Sequence, residues 1–328
     1  MKLILVITFD SVINSPSSRA NFDLLRDLAD NYNDDLLNEG SESRDNNYSL
    51  DYNLENFCND EDFLTNFAIS TNYILDTELS NFVLSKSQVS LNILHANCRS
   101  LNKNFSELSN LLSFSNSSLS AICLTETWLN KVNEDIFQLE GYNFVSKCRD
   151  KKGGGVGIFL QHNLEFSVCN DLTYIDKSIE CLFIEIVQKS QSNILLGVIY
   201  RPPNGDLKLF NTEILKLLNI IDNRKFSITC IAGDYNVDLL KCDTHEQYSL
   251  FFNNLLAYSF IPCINKPTRV TKNSATLIDN IFIKTKITNC KSVIVYNDIS
   301  DHFPIVAQID VVVKWYAPPH SRKKTLFF

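Results

Sequence analysis

The chain has 328 residues, 45% of them hydrophobic, with 38 acidic against 30 basic side chains. That length holds one large α/β domain with an appendage, or two small domains. Residues 1–88 carry 16 acidic and 5 basic side chains, a net of −11, and 89–328 carry 22 and 25, a net of +3. Four of those 25 lie in the tail (Lys314, Arg322, Lys323, Lys324), so 89–313 is near neutral, with 21 basic against 22 acidic, and net charge alone does not argue for a nucleic-acid partner.

The N-terminal Met1–Ile7 resembles the start of a signal peptide, but its apolar run breaks at Thr8 and Asp10 and no small-residue cleavage site follows. No stretch reaches the ~18 apolar residues of a membrane span. The expectation is a soluble, intracellular protein, nuclear or cytoplasmic. Residues 1–87 are acidic and rich in Asn and Ser, with scattered apolar positions, and read as a mostly disordered leader. Within them Phe22, Leu25, Ala29 and Tyr32 have the spacing of a short helix.

The texture changes near residue 88. Val89-Leu91-Ile93 alternates as a strand, and Leu101, Phe105, Leu108 and Leu112 recur as a helix. Ser120–Leu124 is an apolar strand. Gly153-Gly154-Gly155 reads as a flexible lead-in to the strand Val156–Leu160, since it lacks the GK[ST] ending of a phosphate loop. Strands follow at Ile179–Val187 and Ile194–Tyr200, separated by the turn 189–193. Phe210, Ile214, Leu217 and Ile221 mark a helix, Phe226–Ala232 a strand, Leu250–Leu256 a helix, and Leu277–Ile283 and Ile305–Val313 two more strands. Pro318-Pro319 reads as a domain exit before a basic tail, 314–328. Strands outnumber helices, and hairpins mix with crossovers, which favours a layered α/β sandwich over 88–313.

The ten cysteines form no CxxC pair, and no His pair sits at zinc-finger spacing. Cys123, Cys181 and Cys230 lie inside apolar runs and read as buried, reduced thiols.

Four short motifs carry chemistry: Thr125-Glu126-Thr127, Gly233-Asp234-Tyr235-Asn236, Ile278-Asp279-Asn280 and Ser300-Asp301-His302. Glu126, just past a buried strand, can hold a hard cation at a sheet edge; it also fits an ordinary strand-end acid. Gly233 would let the backbone turn sharply, with Asp234 and Asn236 on one side; the same residues suit a plain turn. Asp279 lies in an apolar strand and needs a partner; backbone donors could satisfy it, but His302 is the natural partner, since the carboxylate would fix the ring tautomer and raise its pKa. His95, at a strand end, reads as packed, and His162 and His245 as surface residues. Four carboxylates, a histidine and an amide at the ends of apolar runs suit metal-assisted cleavage of a phosphate ester.

The ordered set Asn97, Glu126, Tyr200, Asp234, Asn236, Asp279, Asp301, His302 resembles the endonuclease/exonuclease/phosphatase superfamily, over essentially all of 89–313. Leu124-Thr125-Glu126-Thr127-Trp128-Leu129, Tyr200-Arg201-Pro202-Pro203 and Gly233-Asp234-Tyr235-Asn236-Val237 narrow the resemblance to the apurinic-like endonuclease domain of non-LTR (LINE-type) retrotransposons. The resemblance implies a four-layer sandwich of two packed mixed sheets flanked by helices. It implies a Mg²⁺-dependent endonuclease, with Mn²⁺ able to substitute, that nicks one strand of DNA. Glu126 would bind the metal with Asn97 nearby and Asp301 opposite. Asp234 would orient or activate water, Asn236 and Tyr200 would contact the scissile phosphate, and His302, held by Asp279, would stabilise phosphoryl charge. Asn204, Arg269, Lys272 and Thr276 would contact substrate, the segment 269–275 as a loop leaning into DNA. A complete element would continue into a reverse transcriptase, which this sequence lacks. The alternatives are an abasic-site nuclease or phosphatase of the same fold, and an inactive or domesticated binding module.

Overall fold

The computed structural model describes residues 71–84, 90–115, 118–132, 136–149, 153–188, 192–285 and 290–310. The N-terminal apolar run, the helix expected over 22–32, most of the 189–193 turn and the basic tail lie outside these residues.

Along the chain run β1 (Thr71–Leu75), α1 (Leu79–Val83), β2 (Ser90–Asn97), α2 (Leu101–Ser113), β3 (Ala121–Thr125), β4 (Tyr142–Lys147), β5 (Val156–Gln161), β6 (Phe166–Val168), β7 (Tyr174–Ile175), β8 (Glu180–Ile186) and β9 (Ile194–Tyr200). Then come α3 (Leu207–Asp222), β10 (Ile228–Asp234), α4 (Glu246–Ala257), β11 (Ile261–Pro262), β12 (Arg269–Thr271), β13 (Ser274–Thr276), β14 (Asp279–Thr285), β15 (Cys290–Tyr296) and β16 (Ile305–Asp310). The first sheet has the order β1-β15-β16-β2-β3-β5-β4. The second has the order β11-β14-β10-β9-β8-β6, with β7 also on β8. Both are mixed: β2 and β3 pair in parallel, as do β9 and β10, while β16 with β2 and β10 with β14 are antiparallel.

The sheets pack face to face, β2, β3, β5, β14, β9 and β10 among the strands that meet. Period-two alternation assigns the faces. Leu94 and Ala96 of β2 join the cluster under α2 with Leu101, Leu108 and Leu111, so Ile93, His95 and Asn97 point to the opposing sheet. Outside the second sheet, the rings of Phe210 of α3, Phe251 of α4 and Phe282 of β14 pack together, the last pair edge to face. The helix α3 forms where the sequence dictates. Asp206 caps it by accepting from the N–H groups of Lys208 and Leu209, and Phe210, Ile214, Leu217, Leu218 and Ile221 fall on its buried stripe. Each such side chain contributes about 1.5–3 kcal/mol of burial. Two packed mixed sheets flanked by helices form the α/β sandwich expected from the strand-rich pattern.

Residues 71–84 differ from the sequence reading, which placed them in the leader. They form β1, paired in parallel with β15, and α1, whose Leu79 and Val83 are buried in the core. The signal is faint for a physical reason. An edge strand with one covered face needs few apolar residues, and a single helical turn shows only one i, i+4 pair. Among the described residues, no helix is long and apolar enough to cross a membrane.

Candidate active site

The second sheet places four polar side chains on one rung. Glu180 of β8 is opposite Tyr200 of β9, Tyr200 opposite Asp234 of β10, and Asp234 opposite Asp279 of β14. Directly opposed residues share a face. All four are buried, at 0%, 4%, 0% and 1% exposure. Three carboxylates in such a row are costly unless each is compensated.

The compensation is specific. Asp279 lies 2.9 Å from His302 Nδ1 and accepts from the Thr268 hydroxyl at 2.7 Å. Asp234 Oδ1 accepts from the Asn236 backbone N–H at 3.0 Å, and Oδ2 accepts from the Asn97 amide at 2.9 Å. The same Asn97 nitrogen donates to Glu126 Oε1 at 3.0 Å. One amide on the first sheet thus draws a carboxylate from each sheet to a common point. Glu180 accepts from the Gly155 N–H and pairs with Arg149, whose guanidinium lies 6.0 Å from the centre of the Tyr200 ring.

Electrostatics separates these groups. Burial, with the Asp279 charge adding to it, pushes Asp234 up to about 7, against the pull of His302. Burial opposes charge on His302, but Asp279 and Asp234 outweigh it and raise the ring to about 9. Burial would also raise Asp279, yet His302 holds it below the ordinary carboxylate value. At neutral pH Asp279 and His302 therefore form an ion pair. His95 differs: burial lowers it to about 4, so at 3.9 Å from Asp279 it is a neutral neighbour, not an ion-pair partner. Burial and the charges of Glu126, Asp234 and Glu180 raise the Tyr200 phenol, which stays protonated.

Backbone strain gathers at the same place. Arg99, Ser100, Glu126, Trp128 and Asn236 have positive φ; of the non-glycine described residues only Ser259 shares this. Such residues cost about 1–3 kcal/mol each and persist where the surroundings over-determine them. Here they do. The Ser100 and Leu101 N–H groups donate to the Glu126 and Thr127 carbonyls. The Thr127 and Trp128 N–H groups donate to the Gly155 and Gly154 carbonyls. Gly153–Gly155 all have positive φ, and the carbonyls of Gly154 and Gly155 accept from the segment that follows Glu126 before the chain enters β5. Gly233 differs from its expected turn role. It lies within β10, and an added Cβ would sit 1.9 Å from the Ile199 carbonyl oxygen; it is there for close strand approach.

The structure thus brings together Asn97, Glu126, Asp234, Asn236, Asp279 and His302, with Tyr200 on the shared rung. Asp301, expected to help hold a metal, instead accepts from Arg99 Nη1 at 2.8 Å and from Arg269 Nε at 2.9 Å and Nη2 at 2.6 Å. Arg269, expected as a loop cation for DNA, is the partner in that clamp. Thr276 Oγ1 donates to the Arg269 carbonyl at 3.5 Å across the β12–β13 ribbon, and Lys272 lies exposed at its turn. Asn204 is exposed in the turn before α3. The residues that sequence reasoning missed are supporting ones. Arg201 is 5% exposed and gives its guanidinium to the carbonyls of Tyr235, Asn236 and Gly205, fixing the loop that carries Asn236. Glu180 had a usable signal, an acid opening an apolar strand; Thr268 had none.

Ligand atoms of Asp234, Asp279 and His302 lie within 4.8 Å of one another. With His302 protonated, the donors for a hard divalent cation are the carboxylates, and Glu126 joins Asp234 through Asn97.

No protein-family model matches the chain. No curated protein matches it. Solved structures do. The endonuclease domain of TRAS1, a telomere-specific non-LTR retrotransposon, is similar with a TM-score of 0.52 at 14% identity, over 68% of this chain and 99% of that one. The AP endonuclease LMAP from Leishmania major is similar with a TM-score of 0.55 at 14% identity, over 79% and 98%. An endonuclease/exonuclease/phosphatase from Bacteroides vulgatus is similar with a TM-score of 0.53 at 14% identity, over 68% and 100%. The chain has the fold of the endonuclease/exonuclease/phosphatase proteins, the fold also taken by a non-LTR retrotransposon endonuclease domain.

Proposed function

We propose that this protein is a divalent-metal-dependent phosphodiesterase, and specifically a DNA endonuclease that nicks one strand. The observation that carries the reading is the Asn97 bridge, which sets Glu126 of one sheet beside Asp234 of the other, next to the Asp279–His302 pair. Two carboxylates converging on one amide, with a charged imidazole alongside, match the needs of phosphate-ester hydrolysis: a water acceptor, a cation site and a donor for phosphoryl oxygen. The likeness to solved endonucleases supports DNA as substrate.

Glu126, with Asn97 beside it, would hold Mg²⁺, and Mn²⁺ would serve in its place. The bound cation supplies Lewis-acid neutralisation of the phosphate. The remaining steps fall to the chain. Asp234 accepts the proton of the attacking water, oriented by the Asn97 amide and the Asn236 N–H that fix its two oxygens. His302, charged and tied at Nδ1 to Asp279, presents its other ring nitrogen as a donor to the charge growing on phosphoryl oxygen. The Tyr200 phenol and Asn236 side chain contact the scissile phosphate. Asn204, Lys272 and Thr276 would contact substrate.

Nicking of supercoiled plasmid tests this. Wild-type protein should make open circles with Mg²⁺ or Mn²⁺ and none with chelator. Asp234→Asn should lower the rate by about 10²–10⁴, and Glu126→Gln should raise the Mg²⁺ required. Wild-type cutting by Asp234→Asn, or cutting in chelator, would refute the proposal. A duplex with one abasic site, cut far faster than intact duplex, would move the reading to an abasic-site nuclease.

A further inference from the structure

Arg99, Asp301 and Arg269 form a cluster that the proposed chemistry leaves without a role. Asp301 precedes His302, Arg99 lies two residues past Asn97, and Arg269 follows Thr268, the residue that holds Asp279. Three segments of the site therefore meet at one carboxylate. Both of its oxygens accept from guanidinium groups. The cluster carries a net charge of +1, and its cations face solvent: the Arg99 side chain is 57% exposed and that of Arg269 39%.

Stability does not account for Arg99. Its ion pair with Asp301 contributes at most about 1 kcal/mol, because the arginine side chain is more than half exposed. Arg99 stands at φ +41°, a conformation that Asn or Gly adopts at lower cost. Stability alone would place one of those residues there. What arginine adds is a planar fork of donors that matches two oxygens of a phosphate. Asp301 fixes each guanidinium by part of its fork. Arg99 is held through Nη1 and Arg269 through Nε and Nη2, which leaves further N–H groups on both.

We infer that Arg99 and Arg269 together form a phosphate-binding site for the nucleic-acid backbone next to the scissile position, and that Asp301 anchors the two arginines and is not a metal ligand. The inference rests on the proposed phosphodiesterase reading, and it is tested by binding alone. A preorganised pair loses little side-chain entropy on binding phosphate, since the shared carboxylate has already removed it.

Anisotropy of a labelled DNA duplex, in chelator and from about 50 to about 200 mM salt, measures the contacts without cleavage. Each of Arg99→Ala and Arg269→Ala should flatten the slope of log K against log salt by about 0.9, and the double substitution by about twice that. Arg99→Lys should keep the wild-type slope, because the charge remains, and bind more weakly, because the fork is gone. Mn²⁺ binding, followed by electron paramagnetic resonance of the free ion, should be unchanged in Asp301→Asn and about tenfold or more weaker in Glu126→Gln. An unchanged slope in Arg99→Ala would overturn the phosphate role, and a tenfold loss of Mn²⁺ affinity in Asp301→Asn would overturn the anchor role. Plasmid nicking is a separate measurement: a protein that binds as described and never cuts would refute the catalytic reading while leaving the phosphate site standing.

Discussion

Two buried histidines flank Asp279, and they hold opposite protonation states at neutral pH. His302 is raised to about 9 because Asp279, Asp234 and Asp301 all face it, enough to overcome burial. His95 is lowered to about 4, because burial outweighs the attraction of Asp279, and the charge on His302 repels a second proton. The pH dependence of stability follows. Free histidine titrates at 6.5, so the His302 contribution is fully present below about 6.5 and is lost as pH rises through about 9. Asp279, held low, loses its share only when pH falls below the ordinary carboxylate value of 3.8 toward its folded value. In metal-free buffer, the melting temperature of wild type should therefore exceed that of His302→Asn most at pH 6, and the gap should close by pH 10. Curves that stay parallel across this range would show that His302 is uncharged in the folded protein. At this scale the sequence was legible where a residue had to be paired: Asp279 in an apolar strand demanded a partner, and His302 is that partner. It was not legible for Asp301, since no spacing rule brings Arg99 and Arg269, 170 residues apart in number, onto one carboxylate.

The elements divide in the same way. Strands buried on both faces were readable as apolar runs, and β9 spans the Ile194–Tyr200 read from the sequence. Helices with a full stripe, such as α3, were equally plain. Edge elements were not: β1 alternates irregularly, and β4, the other edge of the first sheet, mixes polar and apolar residues. The consequence for β1 can be measured. A chain beginning at Lys86 would lose β1 and α1, stripping the cover from the β15 edge and removing the fully buried Leu79. Loss of one such leucine costs about 2–5 kcal/mol. Urea unfolding should show the shortened chain destabilised by at least this amount, or insoluble through its open edge. A midpoint equal to that of the full chain would mean that β1 and α1 contribute nothing to the fold.

For the molecule as a whole, the thiols report how closed the sandwich is. Among the described residues, Cys98, Cys123, Cys169, Cys181, Cys230, Cys242 and Cys263 are buried, and Cys148 and Cys290 are half-buried. Burial raises the thiols of Cys98, Cys123 and Cys230, which keeps them protonated and unreactive. Brief alkylation of native protein followed by peptide mapping should label Cys148 and Cys290, and label the seven buried thiols only after denaturant is added. Labelling of Cys123 or Cys230 in native protein would mean that the two sheets separate on the time scale of the reaction.

The Asn97 bridge has one more implication. Asn97 ends β2 and Glu126 directly follows β3 of one sheet, while Asp234, Asp279 and Tyr200 belong to the other. A slip of one residue along a strand moves a side chain by about 3.3 Å, more than the 2.9 Å that separates the amide from Asp234. Neither sheet holds the full set of groups alone. On the proposed reading, cleavage would require both sheets docked and β16 paired with β2, which sets His302 beside Asp279.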